Sequence, residues 1–240
     1  MAQARYETSV LDVFTDSDSQ VVDVLFVVDD SGSMSQEQAN LAQSFEAFIV
    51  EAANWNSDYQ IGVTTTTIDI FDLAGGVLQG SPSWVSAQNW EKFVHIVEVG
   101  TTGSGTEQGL YAALIALSSP LIDPPAEACT QDSDCGLYRA CILGQCQGMN
   151  YGFLRPEAAL EVVFVSDEED QSPDEVENYL DFFRAIKGYD RPELLHLHAI
   201  VGPPGGCSSA NGSADPGLRY RNMANATGGA VYSICELDFA

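Results

Sequence analysis

The sequence predicts an α/β fold: a doubly wound, Rossmann-like, mostly parallel sheet with helices on both faces and a disulfide-rich insert. Three observations predict it. Val21–Val28 (VVDVLFVV) is almost wholly apolar, the pattern of a strand buried on both faces. Further apolar runs recur along the chain, separated by stretches with helical spacing. The chain has 240 residues, 45% of them hydrophobic, enough for one substantial core. We therefore read residues 1–240 as a single domain.

The elements follow in order. After the strand Val21–Val28, Ser35–Ala53 places Leu41, Phe45, Phe48 and Ile49 at helical spacing. Tyr59–Ile68 reads as a second strand. Trp84–Val99 reads as an edge strand or turn followed by a short helix around Trp90–Val97. Thr106–Leu117 is helical, and Leu160–Ser166 (LEVVFVS) is another buried strand. Pro173–Ile186 is an amphipathic helix with Pro173 suited to its first turn. Leu194–Val201 is a strand, Leu218–Ala226 a helix and Ala230–Ile234 the last strand. Pro120–Asn150 breaks this rhythm. It holds Pro124, Pro125 and four of the six cysteines with little apolar periodicity, and reads as an insert that crosslinks must hold.

Those four cysteines, Cys129, Cys135, Cys141 and Cys146, are spaced poorly for a zinc knuckle. An even number of cysteines without Cys-x-x-Cys points to disulfides and an oxidising compartment. Four cysteines allow three pairings; we prefer the alternate one, Cys129 with Cys141 and Cys135 with Cys146. Cys207 with Cys235 is the simplest third pair. The opening MAQARYETSV has no apolar signal-peptide core, so we expect a segment of a longer exported protein.

Charge narrows the function. Thirty-five Asp and Glu against nine Lys and Arg give a formal net charge of −26. Nine cations cannot supply the basic surface that nucleic acid or anionic lipid requires. No apolar run is long enough to insert in a membrane. The expected partners are cations and groups bound through them, and the isolated domain is expected to be monomeric.

The first strand ends in Asp29, Asp30, Ser31, Gly32, Ser33 and Met34. In an extended turn alternate side chains share a side, so Asp29, Ser31 and Ser33 can converge at the carboxyl end of the sheet, where open α/β sheets bind ligands. Such oxygens suit a hard divalent cation. The competing reading is a helix N-cap. Thr106, after the glycine-rich turn GTTGSGT, brings a further hydroxyl; Asp167 directly follows the strand Leu160–Ser166. Each also has a plain reading, Thr106 as an N-cap and residues 167–170 as a solvated loop.

Asp-x-Ser-x-Ser after the first strand, a later Thr in a glycine-rich turn and an Asp after the fourth strand resemble the metal-ion-dependent adhesion site of von Willebrand factor type A domains. The chain is especially similar to exported bacterial members, with VDVLFVVDDSGSM and FVSDEEDQS. The resemblance implies a sheet order of 3-2-1-4-5-6. It implies Ser31, Ser33 and Thr106 as hydroxyl ligands, with Asp29 and Asp167 binding the metal directly or through water. It also implies Mg²⁺, or Ca²⁺ or Mn²⁺, as the ion. A dication so under-neutralised attracts an oxygen anion, in this family a partner's Glu or Asp. Pro120–Asn150 departs from the common pattern.

Other constellations are weaker. GTTGSGTEQG misses the dinucleotide-loop spacing, because Gln108 stands where the last glycine belongs. His196 and His198 share one strand face and are expected simply to pack near a sheet end. A second cation among Asp167–Asp170 competes with the solvated-loop reading. No constellation supports an enzyme. The leading expectation is a metal-dependent adhesion or protein-ligand binding module of an exported bacterial protein, secreted, periplasmic or at the cell surface. The alternative is a structural assembly domain of a surface or pilus-like structure, its metal site serving an internal or neighbouring acid.

Overall fold

A computed structural model of the chain describes residues 21–40, 58–69, 75–210 and 212–236. Among them, six strands form one sheet: β1 (Val21–Val28), β2 (Asp58–Thr65), β3 (Trp84–Val85), β6 (Ala159–Ser166), β7 (Leu195–Val201) and β10 (Val231–Ser233). Their spatial order is β3-β2-β1-β6-β7-β10, which is 3-2-1-4-5-6 when only the sheet strands are counted. All neighbours are parallel except the edge strand β3, which runs antiparallel to β2.

The apolar run of β1 explains its central place. Val24, Phe26 and Val28 face one core with Phe93, Ile96 and Val97 of helix α2 (Phe93–Val97). Leu25 and Val27 face the other, which helices α3 (Gly109–Ala116), α4 (Val176–Lys187) and α5 (Leu218–Thr227) complete. Period-2 alternation thus feeds two cores, and both must be apolar. The one acid within β1, Asp23, is fully buried and held by Arg155, whose Nε donates to its carboxylate at 2.7 Å. Helix α1 is described over residues 35–40 only; Leu41, Phe45, Phe48 and Ile49 lie outside the described residues.

Several boundaries differ from the sequence reading. Helix α3 starts at Gly109 rather than Thr106 because its first free N–H groups are satisfied from elsewhere in the fold. Leu110 N donates to Asp170 Oδ1 at 3.1 Å and Tyr111 N to Ser172 Oγ at 2.9 Å. Helix α4 starts at Val176, so Pro173 precedes it.

The Pro120–Asn150 segment carries a two-stranded hairpin, β4 (Arg139–Ile142) and β5 (Gln145–Gly148). Disulfides Cys129–Cys141 and Cys135–Cys146 staple it, and Cys207–Cys235 ties the short hairpin β8 (Cys207–Ser209)/β9 (Gly212–Ala214) to the end of the sheet. The sulfurs of Cys129, Cys135 and Cys146 lie together because two disulfides stack, which leaves no thiolates for zinc. Buried Asn150 anchors the insert, donating to Gly76 O at 2.7 Å and Ala116 O at 2.9 Å. Three disulfides place the chain in an oxidising compartment. No helix of the described residues is long and apolar enough to cross a membrane.

Candidate metal centre

Strands β1 and β6 run side by side in parallel, with Val28 opposite Val165. Their carboxyl ends therefore deliver Asp29 and Asp167 to one edge. The ladder continues one residue further, Asp29 N donating to Val165 O at 2.9 Å. Asp29 is fully buried; its Oδ1 accepts Ser31 N at 2.8 Å and its Oδ2 accepts Ser166 Oγ at 2.6 Å. Ser31 Oγ and Ser33 Oγ are 2.9 Å apart, and Ser33 Oγ donates to Asp167 Oδ1 at 3.2 Å. Ser31, Ser33 and Asp167, from two segments 134 positions apart, thus form one chain of oxygens, with Asp29 tied to it through Ser31 N. Ser31 is buried and Ser33 exposed, so the chain opens to solvent at its Ser33 end. Ser31 is the N-cap residue of the turn Gly32–Met34, yet its side chain makes no capping bond. The hydroxyl is thus free of the capping role that competed with ligation.

Thr106 is not joined to this chain by any hydrogen bond among the described residues. Its side chain is exposed, and its N–H donates to Ser104 Oγ at 3.0 Å. Its loop nonetheless docks on the same edge. Gly103 N donates to Asp30 O at 2.8 Å, and a side chain at Gly103 would collide with the Asp30 carboxylate. Gln38 Nε2 bridges Asp29 O at 2.8 Å and Gly100 O at 2.7 Å, and Gln108 N donates to Thr66 O at 3.2 Å.

This loop also buries Glu107, a residue the sequence reading missed. Nothing in its local sequence separates it from an exposed loop acid; only its neighbours across the fold do. Burial pushes the Glu107 carboxyl up to about 8, helped by the charges of Asp29 and Glu168. Burial likewise pushes Asp167 up to about 7, with the Asp29 charge next and the Ser33 hydrogen bond opposing. Asp29 is raised by burial against the bonds from Ser166 and Ser31. Among the described residues no Lys or Arg forms an ion pair with any of these acids. A crowd of carboxylates and hydroxyls without a protein cation is a donor set that fits a hard dication.

The acidic run after β6 is an internal hub rather than a solvated loop. Asp167 and Asp170 are buried. Glu169 accepts the N–H groups of Leu218 and Arg219 at 2.9 and 3.0 Å, holding the start of helix α5. Asp167 and Glu168 also line a cleft of about 240 Å³ with Cys207, Ser213, Ala214 and Asp215. At the opposite edge of the sheet, His196 and His198 do more than pack. They flank fully buried Glu161, at 3.0 and 2.8 Å.

No protein-family model and no curated protein sequence matches the chain. Solved structures do. Two solved structures of proximal thread matrix protein 1 from the mussel byssus superpose with TM-scores of 0.51 and 0.52 at 12% and 10% identity. A third, with a zinc-occupied MIDAS motif, gives 0.50 at 12% identity. Each covers 92% of this chain, which spans under half of the mussel protein, 45–46%. At such identity the likeness shows the fold alone: a von Willebrand factor type A-like α/β domain, here with a disulfide-rich insert.

Proposed function

We propose that the chain is a metal-dependent binding module of an exported bacterial protein, which takes a partner carboxylate through a divalent cation. The observation that carries this reading is the chain of oxygens from Ser31 through Ser33 to Asp167, beside buried Asp29 and free of capping duty. Asp29, Ser31, Ser33 and Asp167 would hold the ion, Mg²⁺ in the first instance, and Thr106 is the fifth candidate oxygen on the adjoining loop. When bound, the ion supplies a positive centre with room for one outside oxygen anion.

The chain's own residues do the rest. Ser166 and Ser31 N orient the Asp29 carboxylate from both sides. The neutral hydroxyls add ligand oxygens without adding charge, which keeps the centre positive enough to attract a carboxylate. Exposed Ser33 marks the side from which a partner approaches. These groups position and attract, and we read the chain as a binder rather than an enzyme.

Retention on beads bearing surface carboxylates, against amide-capped beads, tests the proposal. Retention is expected with Mg²⁺, and loss with EDTA or in Ser31→Ala/Ser33→Ala. Retention unchanged by both, with the fold intact, refutes it.

A second reading, structural assembly, is favoured by the insert. Leu143 at its hairpin tip is 100% exposed at φ +53°, and Leu137 is 68% exposed. Removing this tip without loss of bead retention, but with loss of higher-order assembly of the exported protein, would support that reading.

A further inference from the structure

The insert exposes apolar side chains that the fold does not use. Five of the seven large hydrophobic side chains exposed among the described residues fall between Leu137 and Tyr151. Single exposed apolar residues are ordinary, but a concentration of them marks a contact surface.

The hairpin β4–β5 decides how they are presented. Ile142 pairs with Gln145 and Ala140 with Gln147, while Cys141 pairs with Cys146 and Arg139 with Gly148. Directly opposed residues share a face, and successive residues alternate between faces. One face therefore carries the half-cystines Cys141 and Cys146, with Arg139 bound to Glu127 at 3.1 Å. The other carries Ala140, Ile142, Gln145 and Gln147, and no charge. Met149, whose N–H donates to Tyr138 O at 3.1 Å, continues that alternation just past β5; it is exposed, as is Ile142.

At the tip, Leu143 and Gly144 have φ +53° and +80°. Two positive-φ residues between paired Ile142 and Gln145 make a type I′ turn, whose first position favours Asn, Asp or Gly. A leucine there is strained, and its side chain is wholly exposed. Leu143 thus works against its own turn and gains nothing from burial in the fold. Its apolar surface has a use only against a partner.

Charge selects that partner. Residues 120–150 hold four acids, Asp123, Glu127, Asp132 and Asp134, and one base, Arg139, which is committed to Glu127. Asp132 and Glu127 flank the two strands: Asp132 Oδ1 accepts Cys141 N and Glu127 O accepts Cys146 N, each at 2.8 Å. A second copy of the chain would set −26 against −26, and anionic lipid meets the same repulsion. We infer that the hairpin docks a basic amphipathic segment of another protein, its apolar side chains seated on Ile142, Leu143 and Met149 and its Lys or Arg facing Glu127 and Asp132. None of these residues belongs to the metal cluster, so the docking stands apart from cation binding.

Fluorescence anisotropy with a labelled helical peptide of Leu and Lys tests this inference. Saturable binding to the disulfide-intact wild type is expected, unchanged by EDTA or by Ser31→Ala/Ser33→Ala. Leu143→Asn supplies the favoured Asn-Gly turn and leaves the charge untouched. It is expected to weaken binding at least about tenfold while raising the melting temperature. Ile142→Ser, also neutral in charge, is expected to weaken binding similarly and carries the test should Leu143→Asn not fold. Wild-type affinity in the folded variants overturns the inference. So does equal affinity for a Ser and Lys peptide of the same charge, which would leave net charge as the whole attraction, or for a Leu and Glu peptide, which would leave apolar contact as the whole. A wild-type dimer that Leu143→Asn dissolves in sedimentation would make a second copy the occupant. Flotation with phosphatidylcholine vesicles that the same variant abolishes would make it a bilayer. Either result overturns the inference as well.

Discussion

Arg219 Nε donates to Asp170 Oδ2 at 2.8 Å, with the Asp170 carboxylate wholly buried and the Arg219 side chain 25% exposed. The pair couples the loop that follows β6 to the start of helix α5. Asp170 Oδ1 accepts Leu110 N as well, so one carboxylate joins the start of helix α3 to a side chain in the first turn of helix α5. Arg219 extends the contact to Ser172 O and Asp174 O, at 3.2 and 2.6 Å.

Replacing Asp170 by Ala would take the carboxylate partner from Arg219 Nε and the acceptor from Leu110 N, loosening the start of helix α3 and its tie to helix α5. The expected cost is about 2–4 kcal/mol in urea unfolding. Hydrogen exchange should rise first in helices α3 and α5 and last in β1. A cost below 0.5 kcal/mol would show that the hub is incidental.

Acid–base linkage gives a second prediction. In the metal-free chain Asp167 is raised from 3.8 to about 7 and Glu107 from 4.5 to about 8, chiefly by burial. Between those limits the folded chain retains protons that the unfolded chain has lost. Stability of the EDTA-treated protein should therefore fall as pH rises from about 4 to about 8, by an amount on the order of 2–4 kcal/mol. A dication replaces those protons, so stabilisation by Mg²⁺ should be larger at pH 8 than at pH 5.5 and be accompanied by proton release. Melting curves at both pH values, with and without Mg²⁺, check the sign.

How far these features were legible depends on how local their causes are. The two-faced apolar run of β1 announced a central parallel strand, because burial on both faces leaves no polar alternation. Asp29, Ser31 and Ser33 were legible because their spacing and the strand that precedes them lie within a few residues. Crowding and even number announced disulfides, but three pairings stayed open in the insert; the structure forms the preferred one, Cys129–Cys141 with Cys135–Cys146, and Cys207–Cys235. Glu107, Asp170 and Glu161 were not legible, since each owes its role to partners tens of residues away. The same reason moved the start of helix α3. Thr106 looks like a cap in sequence, but the caps come from Asp170 and Ser172, more than 60 residues on.

Glu161 supplies a third prediction. His198 Nδ1 accepts Ala230 N at 3.0 Å, which assigns the proton to Nε2 and makes that ring the donor to Glu161 Oε2. Glu161→Ala removes the acceptor of two rings at the amino end of β6 and β7, and should destabilise the chain by about 2–4 kcal/mol. Cation binding at the carboxyl end should not change. Urea unfolding and calorimetry on one variant separate the two effects.

The net charge of −26 yields a fourth. It gathers divalent cations but repels an acidic partner, while the cation at the site acts over about 2–3 Å. Remote acids are screened beyond about 10 Å at 0.1 M salt. Association of polyglutamate with the Mg²⁺-loaded chain should therefore accelerate with added NaCl, the reverse of ordinary steering. A surface-plasmon on-rate that falls with salt would count against it.

The central claim is that the Asp29–Ser31–Ser33–Asp167 cluster binds a divalent cation. Calorimetric titration of Mg²⁺ into the stripped wild-type chain and into Ser31→Ala/Ser33→Ala tests it most directly. The account predicts saturable binding with proton release in the wild type, and at least a tenfold weaker association in a variant that keeps its melting behaviour. Equal Mg²⁺ affinity in the two proteins would contradict it.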